Sequence, residues 1–204
     1  MANKEGMLIL FSGPSGVGKD TVLDVVLNKN KSLQKSISLT TRNIRENETD
    51  GKDYYFISRD KFEDMISNGE VLEYAQYGVN MYGTPKAPID KWLSEGEIVV
   101  LKIEVQGAKN IKEMYPDSVG IFVLPPSIEV LEKRLRSRGT ETEEDIQRRL
   151  EIARDEIHKS VDYDYFVVND ELETASDDVL TIIKALDFSH KRMNNFISEV
   201  IDNV

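Results

Sequence analysis

The sequence predicts an α/β fold with a central parallel sheet. Hydrophobic residues make up 40% and charged residues 31% of the 204 residues, which is a globular composition. Short apolar runs alternate with segments of helical periodicity, as in layered α/β proteins. Each run is bounded by turn or polar residues, which is typical of strands covered on both faces. The predicted strands are Met7–Ser12, Ile98–Ile103, Val119–Leu124 and Tyr165–Asn169.

Three stretches of the chain repeat apolar residues with the 3.6-residue period of an amphipathic helix. The first of these helices is expected to start after Pro125–Pro126, and core packing is the favoured interpretation of all three stripes. The last stripe runs to Val204 and leaves two readings open: it packs on the core, or on a second subunit of a homo-oligomer. The stripes are Ile128, Leu131 and Leu135; Ile146, Leu150, Ala153 and Ile157; and Met193, Phe196, Ile197, Val200 and Ile201.

Residues 37–85 are richer in Thr, Tyr, Gly and charge than the chain around them. Two strand-like pieces, Tyr54–Ile57 and Val71–Tyr77, flank a predicted helix over Asp60–Asn68. These patterns predict a small inserted subdomain. The highly charged segment Arg138–Arg154 has two interpretations, a mobile lid and a solvated helix face, and charge alone favours the second.

Charge and composition exclude several classes of function. Lys and Arg total 26 and Asp and Glu total 37, so the formal net charge is −11. This balance argues against nucleic acid or an anionic membrane as a partner. The absence of Cys excludes disulfides and thiolate sites, and two His disfavour a His-rich metal site. The first apolar run, Met7–Phe11, is too short for a signal peptide or membrane helix, so we expect a cytoplasmic protein.

A glycine-rich loop follows the first predicted strand and precedes a helical run over Thr21–Leu27. It fits the pattern G-x-x-x-x-G-K in the strand–loop–helix context that a phosphate-binding loop requires. Glycines let backbone N–H groups point at phosphate oxygens, and Lys19 supplies a point charge toward the β- and γ-phosphates of ATP. The predicted ATP-binding residues here are Gly13, Pro14, Ser15, Gly16, Val17, Gly18, Lys19, Asp20 and Thr21.

The residue after Lys19 departs from the usual pattern, which has a Ser or Thr that binds Mg²⁺. A carboxylate such as that of Asp20 is a hard metal ligand and is favourable at a helix N-terminus. It also repels ATP phosphates unless a metal lies between them. Asp20 is therefore the candidate metal ligand, while Thr21, about 100° further round the helix, is expected to face elsewhere.

Six further segments complete an ordered pattern along the chain. They are Ser38–Arg45, Gly51–Phe56, Glu73–Ala75, Tyr82–Pro85, Ile103–Ala108 and Arg138–Thr142. Any single segment is a weak signal. Together with the phosphate loop, the set resembles guanylate kinases, which transfer a phosphoryl group from ATP to GMP, in both order and spacing. The resemblance runs from about residue 7 to Asp170 and covers most of the chain.

The resemblance implies a P-loop NTPase-type three-layer core with a central parallel sheet, an inserted GMP-binding subdomain and a helical lid. In one unit over residues 1–204, it places the core at 1–36, 91–130 and 157–204. The GMP-binding subdomain is then 37–90 and the lid 131–156.

The resemblance also implies roles for individual residues, with ATP and GMP as substrates and Mg²⁺ as the cofactor bound with ATP. The implied catalytic residues are Lys19, Arg42, Arg138 and Arg149, with Arg134 as a further lid candidate. The implied contacts of the GMP phosphate are Arg42, Arg45, Tyr54 and Tyr82. The implied guanine contacts are Ser38, Glu73 and Thr84, with Glu104 nearby, and Asn169 is placed near the adenine of ATP.

The chemistry of these residue types suits the implied substrates. Guanine presents N1–H and N2–H₂ as adjacent donors, and one carboxylate, Glu73, can accept from both. Adenine lacks these donors and would leave Glu73 unpaired, so such a site rejects it strongly. The guanidinium fork of Arg donates two parallel hydrogen bonds to phosphate. The GMP phosphate is already ionised, since its second pKa is about 6, so no general base is expected.

A second departure from the resembled family lies at Lys102, where guanylate kinases usually carry an acid. Strand residues two apart share a face, so Lys102 is expected to point into the nucleotide cleft with Glu104. One hypothesis is that Asp20 and Lys102 form a pair across the loop. The alternative is that Asp20 binds the metal while Lys102 contacts a phosphate oxygen.

Two other functions compete with the kinase interpretation. A catalytically impaired, guanylate kinase-like module that binds nucleotide or protein is supported by Asp20 and Lys102, but the intact loop backbone argues against it. A related P-loop kinase with another phosphorylated acceptor is disfavoured by Glu73 together with Ser38.

Overall fold

The computed structural model describes residues 4–137, 139 and 142–202; Arg138, Thr140, Glu141 and Val204 therefore lie outside the described residues. The strands are β1 Met7–Ser12, β2 Leu33–Lys35, β3 Leu39–Thr40, β4 Tyr55–Phe56, β5 Val71–Tyr77, β6 Asn80–Pro85, β7 Ile98–Lys102, β8 Val119–Leu124 and β9 Tyr165–Val168. The helices are α1 Lys19–Lys29, α2 Arg59–Ser67, α3 Lys86–Ser94, α4 Val105–Met114, α5 Ile128–Arg136, α6 Glu143–His158, α7 Leu172–Leu186 and α8 His190–Asp202.

A five-stranded sheet in the order β2-β7-β1-β8-β9 forms the centre of the protein, and its strand pairs are parallel. β1 is buried along its whole length, and its side chains alternate between two cores. Ile9 and Phe11 pack with residues of α1 and α7, whereas Leu8 and Leu10 pack with residues of α3 and α4. The predicted α/β fold with a central parallel sheet is confirmed.

β9 differs from the expectation of a strand covered on both faces. Tyr165, Phe166 and Val168 are 37%, 47% and 48% exposed, and within the strand only Val167 is buried. β9 lies at the edge of the sheet, next to β8 alone. The expectation is wrong here because an apolar run does not distinguish an edge strand from a central one. β7 and β9 also end one residue earlier than predicted, before Ile103 and Asn169.

A second, four-stranded sheet in the order β4-β3-β6-β5 lies between β2 and α3 in the chain. Phe62 of α2 packs under it against Leu39 and Met81. β5 has the predicted bounds and α2 begins and ends one residue before those predicted. Leu72 of β5 packs in the same core as Ile103, so this sheet is held against the carboxyl end of β7.

Helices α5 and α6 pack against each other through their predicted apolar stripes. Leu131 and Leu135 form a buried cluster with Ile146, Leu150 and Ala153. Hydroxyl groups cap both helices, since Ser127 accepts a hydrogen bond from the Val130 N–H and Thr142 accepts one from the Asp145 N–H. The core interpretation of these two stripes is confirmed except at Ile157, which is half-buried and does not belong to this cluster.

The stripe on α8 is exposed instead of buried. Phe196, Ile197, Val200 and Ile201 are 45%, 36%, 51% and 66% exposed, so packing on the core is wrong for these four residues. The helix is anchored at its start by buried Arg192, which donates to the Gly96 carbonyl at 2.8 Å. Among the helices of the described chain, none has the length and apolar character needed to cross a membrane.

Candidate active site

The loop between β1 and α1 wraps around the N-terminus of the helix. Gly16 and Gly18 have φ of 89° and 91°, a left-handed conformation that glycine adopts without steric cost. Gly18, the N-cap residue of α1, has no side chain to cap the helix, so the helix N-terminus presents backbone N–H groups to the loop. Lys19 Nζ donates to the Gly13 carbonyl at 3.0 Å and therefore lies over the loop. Burial lowers the pKa of Lys19, opposed by the nearby carboxylate of Asp20.

A cleft of about 450 Å³ joins this loop to the second sheet. It lies beyond the carboxyl end of β7, the edge of a parallel sheet where α/β proteins place their ligands. The structure brings seven of the predicted site residues into its lining: Lys19, Asp20, Ser38, Tyr54, Glu73, Tyr82 and Glu104. Tyr74, Gln106, Gly107 and Asn110 also line it and were not predicted as site residues.

Glu73 is the acidic group that β5 contributes to the cleft. Buried Thr84 of the neighbouring β6 donates a hydrogen bond to Glu73 Oε1 at 2.6 Å. A Cβ at Gly107 would lie 2.9 Å from Glu73 Oε2, so this glycine leaves room beside the carboxylate. Burial, with the charge of Glu104 nearby, raises the pKa of Glu73. The carboxylate is therefore a partly desolvated acceptor, and each hydrogen bond that a ligand donates to it has a net worth of about 1.5–3 kcal/mol.

Arg42 lies behind the tyrosines of the cleft. Its guanidinium forms a two-pronged ion pair with Glu48, at 2.9 and 2.7 Å, and stacks 5.5 Å from the Tyr54 ring centroid. Arg42 also hydrogen-bonds Tyr82, and the hydrogen bonds that it donates to Glu48 are the main reason that the pKa of Arg42 is raised. Arg45 is exposed, and its backbone N–H donates to Glu48. Glu48 thus orders the arginine loop, a role that the sequence did not reveal.

Two predicted residues contact the phosphate loop from the side of α5 and α6. Arg149 of α6 donates to Ser15 Oγ at 2.7 Å. Arg134 of α5 donates to the Val17 carbonyl at 3.3 Å. Arg149 is thereby placed at the loop, whereas predicted Arg138 lies outside the described residues. Thr21 is exposed on α1 and is not part of the cleft lining.

Asn169 follows β9 and is buried against the phosphate loop. Its Nδ2 donates to the Val17 carbonyl at 2.8 Å, and a Cβ on Gly18 would lie 2.7 Å from the same nitrogen. We expect Asn169→Ala to lower the free energy of unfolding by about 0.5–1.5 kcal/mol, because the buried Val17 carbonyl loses the shorter of its two hydrogen bonds and keeps the one from Arg134. Urea denaturation measures this change, with exposed Asn194→Ala as a surface control. A loss no larger than in the control would contradict the structural role of the Asn169 hydrogen bond.

Asp20 and Lys102 form an ion pair across the mouth of the loop. The hypothesis that these two residues pair is confirmed by this contact. Burial alone would raise the pKa of Asp20. The hydrogen bond and charge of Lys102 outweigh this effect and hold the pKa below its ordinary value. The Asp20 side chain is 66% exposed and that of Lys102 is 31% exposed, so the pair contributes little to stability. No cluster of three His, Asp or Glu side chains suited to a metal occurs in the part of the chain that is described.

Comparison with known proteins assigns the chain to a family. The family model described as guanylate kinase matches residues 5–186. The guanylate kinase of Clostridioides difficile (strain 630) is 48% identical over 196 residues, covering 96% of each chain. That of Lactococcus lactis subsp. lactis (strain IL1403) is 48% identical over 201 residues, covering 98% of each. The crystal structure of guanylate kinase from Anaplasma phagocytophilum has a TM-score of 0.76 at 35% identity and covers 94% of this chain and 92% of that one. This chain therefore belongs to the guanylate kinase family.

Proposed function

We propose that this protein is a nucleoside monophosphate kinase that transfers the γ-phosphoryl group of ATP to GMP, giving ADP and GDP. One observation carries the proposal: the half-buried carboxylate of Glu73, held by Thr84, lines the same cleft as Lys19 of the phosphate loop. An acceptor for the donors of guanine and a cation for phosphate are thus within one site.

In this proposal the chain has the division implied by the family. The core comprises residues 1–36, 91–130 and 157–204, the GMP-binding subdomain 37–90 and the lid 131–156. ATP binds the loop Gly13–Thr21 through its phosphates, with Asn169 behind the loop near the base. Arg42, Arg45, Tyr54 and Tyr82 bind the phosphate of GMP, and Ser38, Glu73, Thr84 and Glu104 surround its guanine.

Transfer requires the two substrates to be aligned and their charge to be neutralised. The attacking oxygen of GMP is already ionised at pH 7, so no side chain has to remove a proton. Lys19 and Arg42 hold the two phosphate groups, while Arg138 and Arg149 of the lid supply positive charge to the group in transfer. Closure of the lid over the cleft excludes water, which would otherwise hydrolyse ATP.

Asp20 suits the Mg²⁺ that accompanies ATP. Mg²⁺ is usually held by one or two carboxylates together with phosphate oxygens and water, and Asp20 is an exposed carboxylate beside Lys19. Bound there, Mg²⁺ would supply positive charge between the phosphate groups. Lys102 competes with Mg²⁺ for the Asp20 carboxylate, so the strength of the ion pair determines how readily Asp20 binds the metal.

We expect the effects of Asp20→Ser and Lys102→Asp on the Mg²⁺ requirement to be non-additive. A Mg²⁺ titration of both single variants and the double variant measures this, with a coupling of at least about 0.5 kcal/mol expected for contacting residues. The pair is exposed, so the free energy of unfolding should change by less than about 1 kcal/mol in each variant. Additive effects on the half-saturating Mg²⁺ concentration would contradict the coupling.

Label transfer tests the proposed reaction itself. In this experiment the γ-phosphoryl group of ATP is labelled, and GMP and enzyme are present in equal amounts. We expect the label in the β-phosphate of GDP. Label found only in inorganic phosphate would indicate ATP hydrolysis. Binding of both nucleotides without transfer would instead identify a catalytically impaired module.

A further inference from the structure

Glu156 lies near the phosphate loop, and the function proposed above does not use it. Arg149, Ala153 and Glu156 follow along α6 at spacings of four and three residues and therefore share one face of the helix. Arg149 donates to Ser15 Oγ at 2.7 Å, and the backbone N–H of Ser15 partly offsets the raised pKa of the Glu156 carboxylate. One face of α6 thus brings a cation and a carboxylate to the phosphate loop.

The surroundings of Glu156 satisfy its charge only in part. Lys19 attracts it, whereas Glu104 at the start of α4 and neighbouring Asp155 repel it. Within the described residues, its Oε2 is buried and has no hydrogen-bond partner. Burial is the main reason that the pKa of Glu156 is raised. The carboxylate therefore lies near Lys19 and a loop N–H, and these two groups do not fully offset the cost of burying its charge.

We propose that Glu156 is a positioning residue that competes with the phosphates of ATP for the phosphate loop. Backbone N–H groups of such a loop and its lysine are the groups that bind phosphate oxygens. A carboxylate and a phosphate are both anions, and they repel each other strongly in a partly buried site. This inference rests on the proposal that the loop binds ATP.

Two consequences follow for the bound state. ATP displaces the Glu156 carboxylate from its position near the Ser15 N–H and Lys19. Because Arg149 is on the same face of α6, the movement that withdraws Glu156 also frees the Arg149 guanidinium from Ser15 Oγ. Binding of ATP to the phosphate loop and the position of Arg149 are therefore linked through α6.

The variant Glu156→Gln isolates the charge, since Gln has nearly the same shape and keeps one oxygen near the Ser15 N–H. Titration calorimetry with ATP in EDTA at pH 8, without GMP, measures binding without turnover. We expect the Kd for ATP to fall about tenfold, the scale of one charge-assisted hydrogen bond. In Mg²⁺-dependent turnover, the KM for ATP should fall while kcat changes by less than about threefold.

The dependence on pH separates competition from a purely structural role. A protonated Glu156 is neutral, like Gln, so the ratio of the two Kd values should approach one as the pH is lowered through the raised pKa of Glu156. The other titratable groups that face Glu156 are present in both proteins, so their own titration affects both Kd values. They are Lys19, Glu104, Asp155 and Tyr163.

Asp155→Asn is the matched control. It removes one negative charge from the residue next to Glu156, and the Asp155 side chain is exposed and paired with Lys159. Its Kd for ATP should stay within about twofold of wild type. Thermal unfolding should show E156Q at least as stable as wild type, because the ionised Glu156 is costly to bury. An unchanged or higher Kd in folded E156Q would overturn the competition while leaving the ATP site intact. Absence of ATP binding by both proteins would overturn the assignment of the loop as well.

Discussion

Lys19→Met is expected to lower kcat for GDP formation by about 10³-fold, the largest effect predicted for a single substitution. Met keeps the length of the side chain and removes the ammonium that lies 3.0 Å from the Gly13 carbonyl. In a partly buried site this charge interacts with phosphate far more strongly than it would in water. Initial rates of ADP formation at saturating ATP and GMP measure the change.

Lys31→Met provides the control for this prediction. Lys31 is exposed, donates to Asn28 Oδ1 at 2.9 Å and is not among the residues that line the cleft. Its kcat should stay within about twofold of wild type. A folded K19M protein that retained more than about a tenth of the wild-type kcat would contradict the role of Lys19 in the transfer.

Glu73→Gln is expected to lower kcat/KM for GMP by about 10²–10³-fold. Gln can still accept a hydrogen bond from Thr84, but its amide group turns a donor toward the donors of guanine. Burial raises the pKa of Glu73, which means that the ionised carboxylate destabilises the fold above that pKa. At pH 7 the neutral variant should therefore be at least as stable as wild type, and a loss of activity would report recognition of guanine.

Glu70→Gln is the matched control for Glu73→Gln. Glu70 is exposed immediately before β5 and lies outside the cleft lining. Steady-state kinetics with GMP varied at saturating ATP should show kcat/KM within about twofold of wild type for this control. Equal kcat/KM for GMP in E73Q and wild type would show that groups other than Glu73 recognise guanine.

Local sequence signals predicted the strands of the central sheet and the site residues that lie at its carboxyl edge. β1 and β8 have the predicted bounds because each apolar run is closed by a strong turn or breaker: Gly13 after β1 and Pro125 after β8. The pairing of Asp20 with Lys102 was also predictable, because the start of α1 and the end of β7 meet at the same edge of the parallel sheet.

Contacts between distant segments were not predictable in the same way. Arg42 and Glu48 meet because an irregular loop folds back, and loops carry no periodicity. Glu156 shares a helical face with Arg149, a spacing present in the sequence, but its position near Ser15 depends on how α6 packs on the core. The period of α8 predicts an apolar face and does not reveal what covers it.

The most direct test of the central claim is ADP formation from ATP and Mg²⁺ with GMP, AMP, CMP and UMP in separate reactions. The proposed site predicts rapid turnover with GMP and rates near background with the other three, because only guanine offers two adjacent donors to Glu73. Comparable rates with AMP, or no GMP-dependent ADP at any Mg²⁺ concentration, would contradict the account.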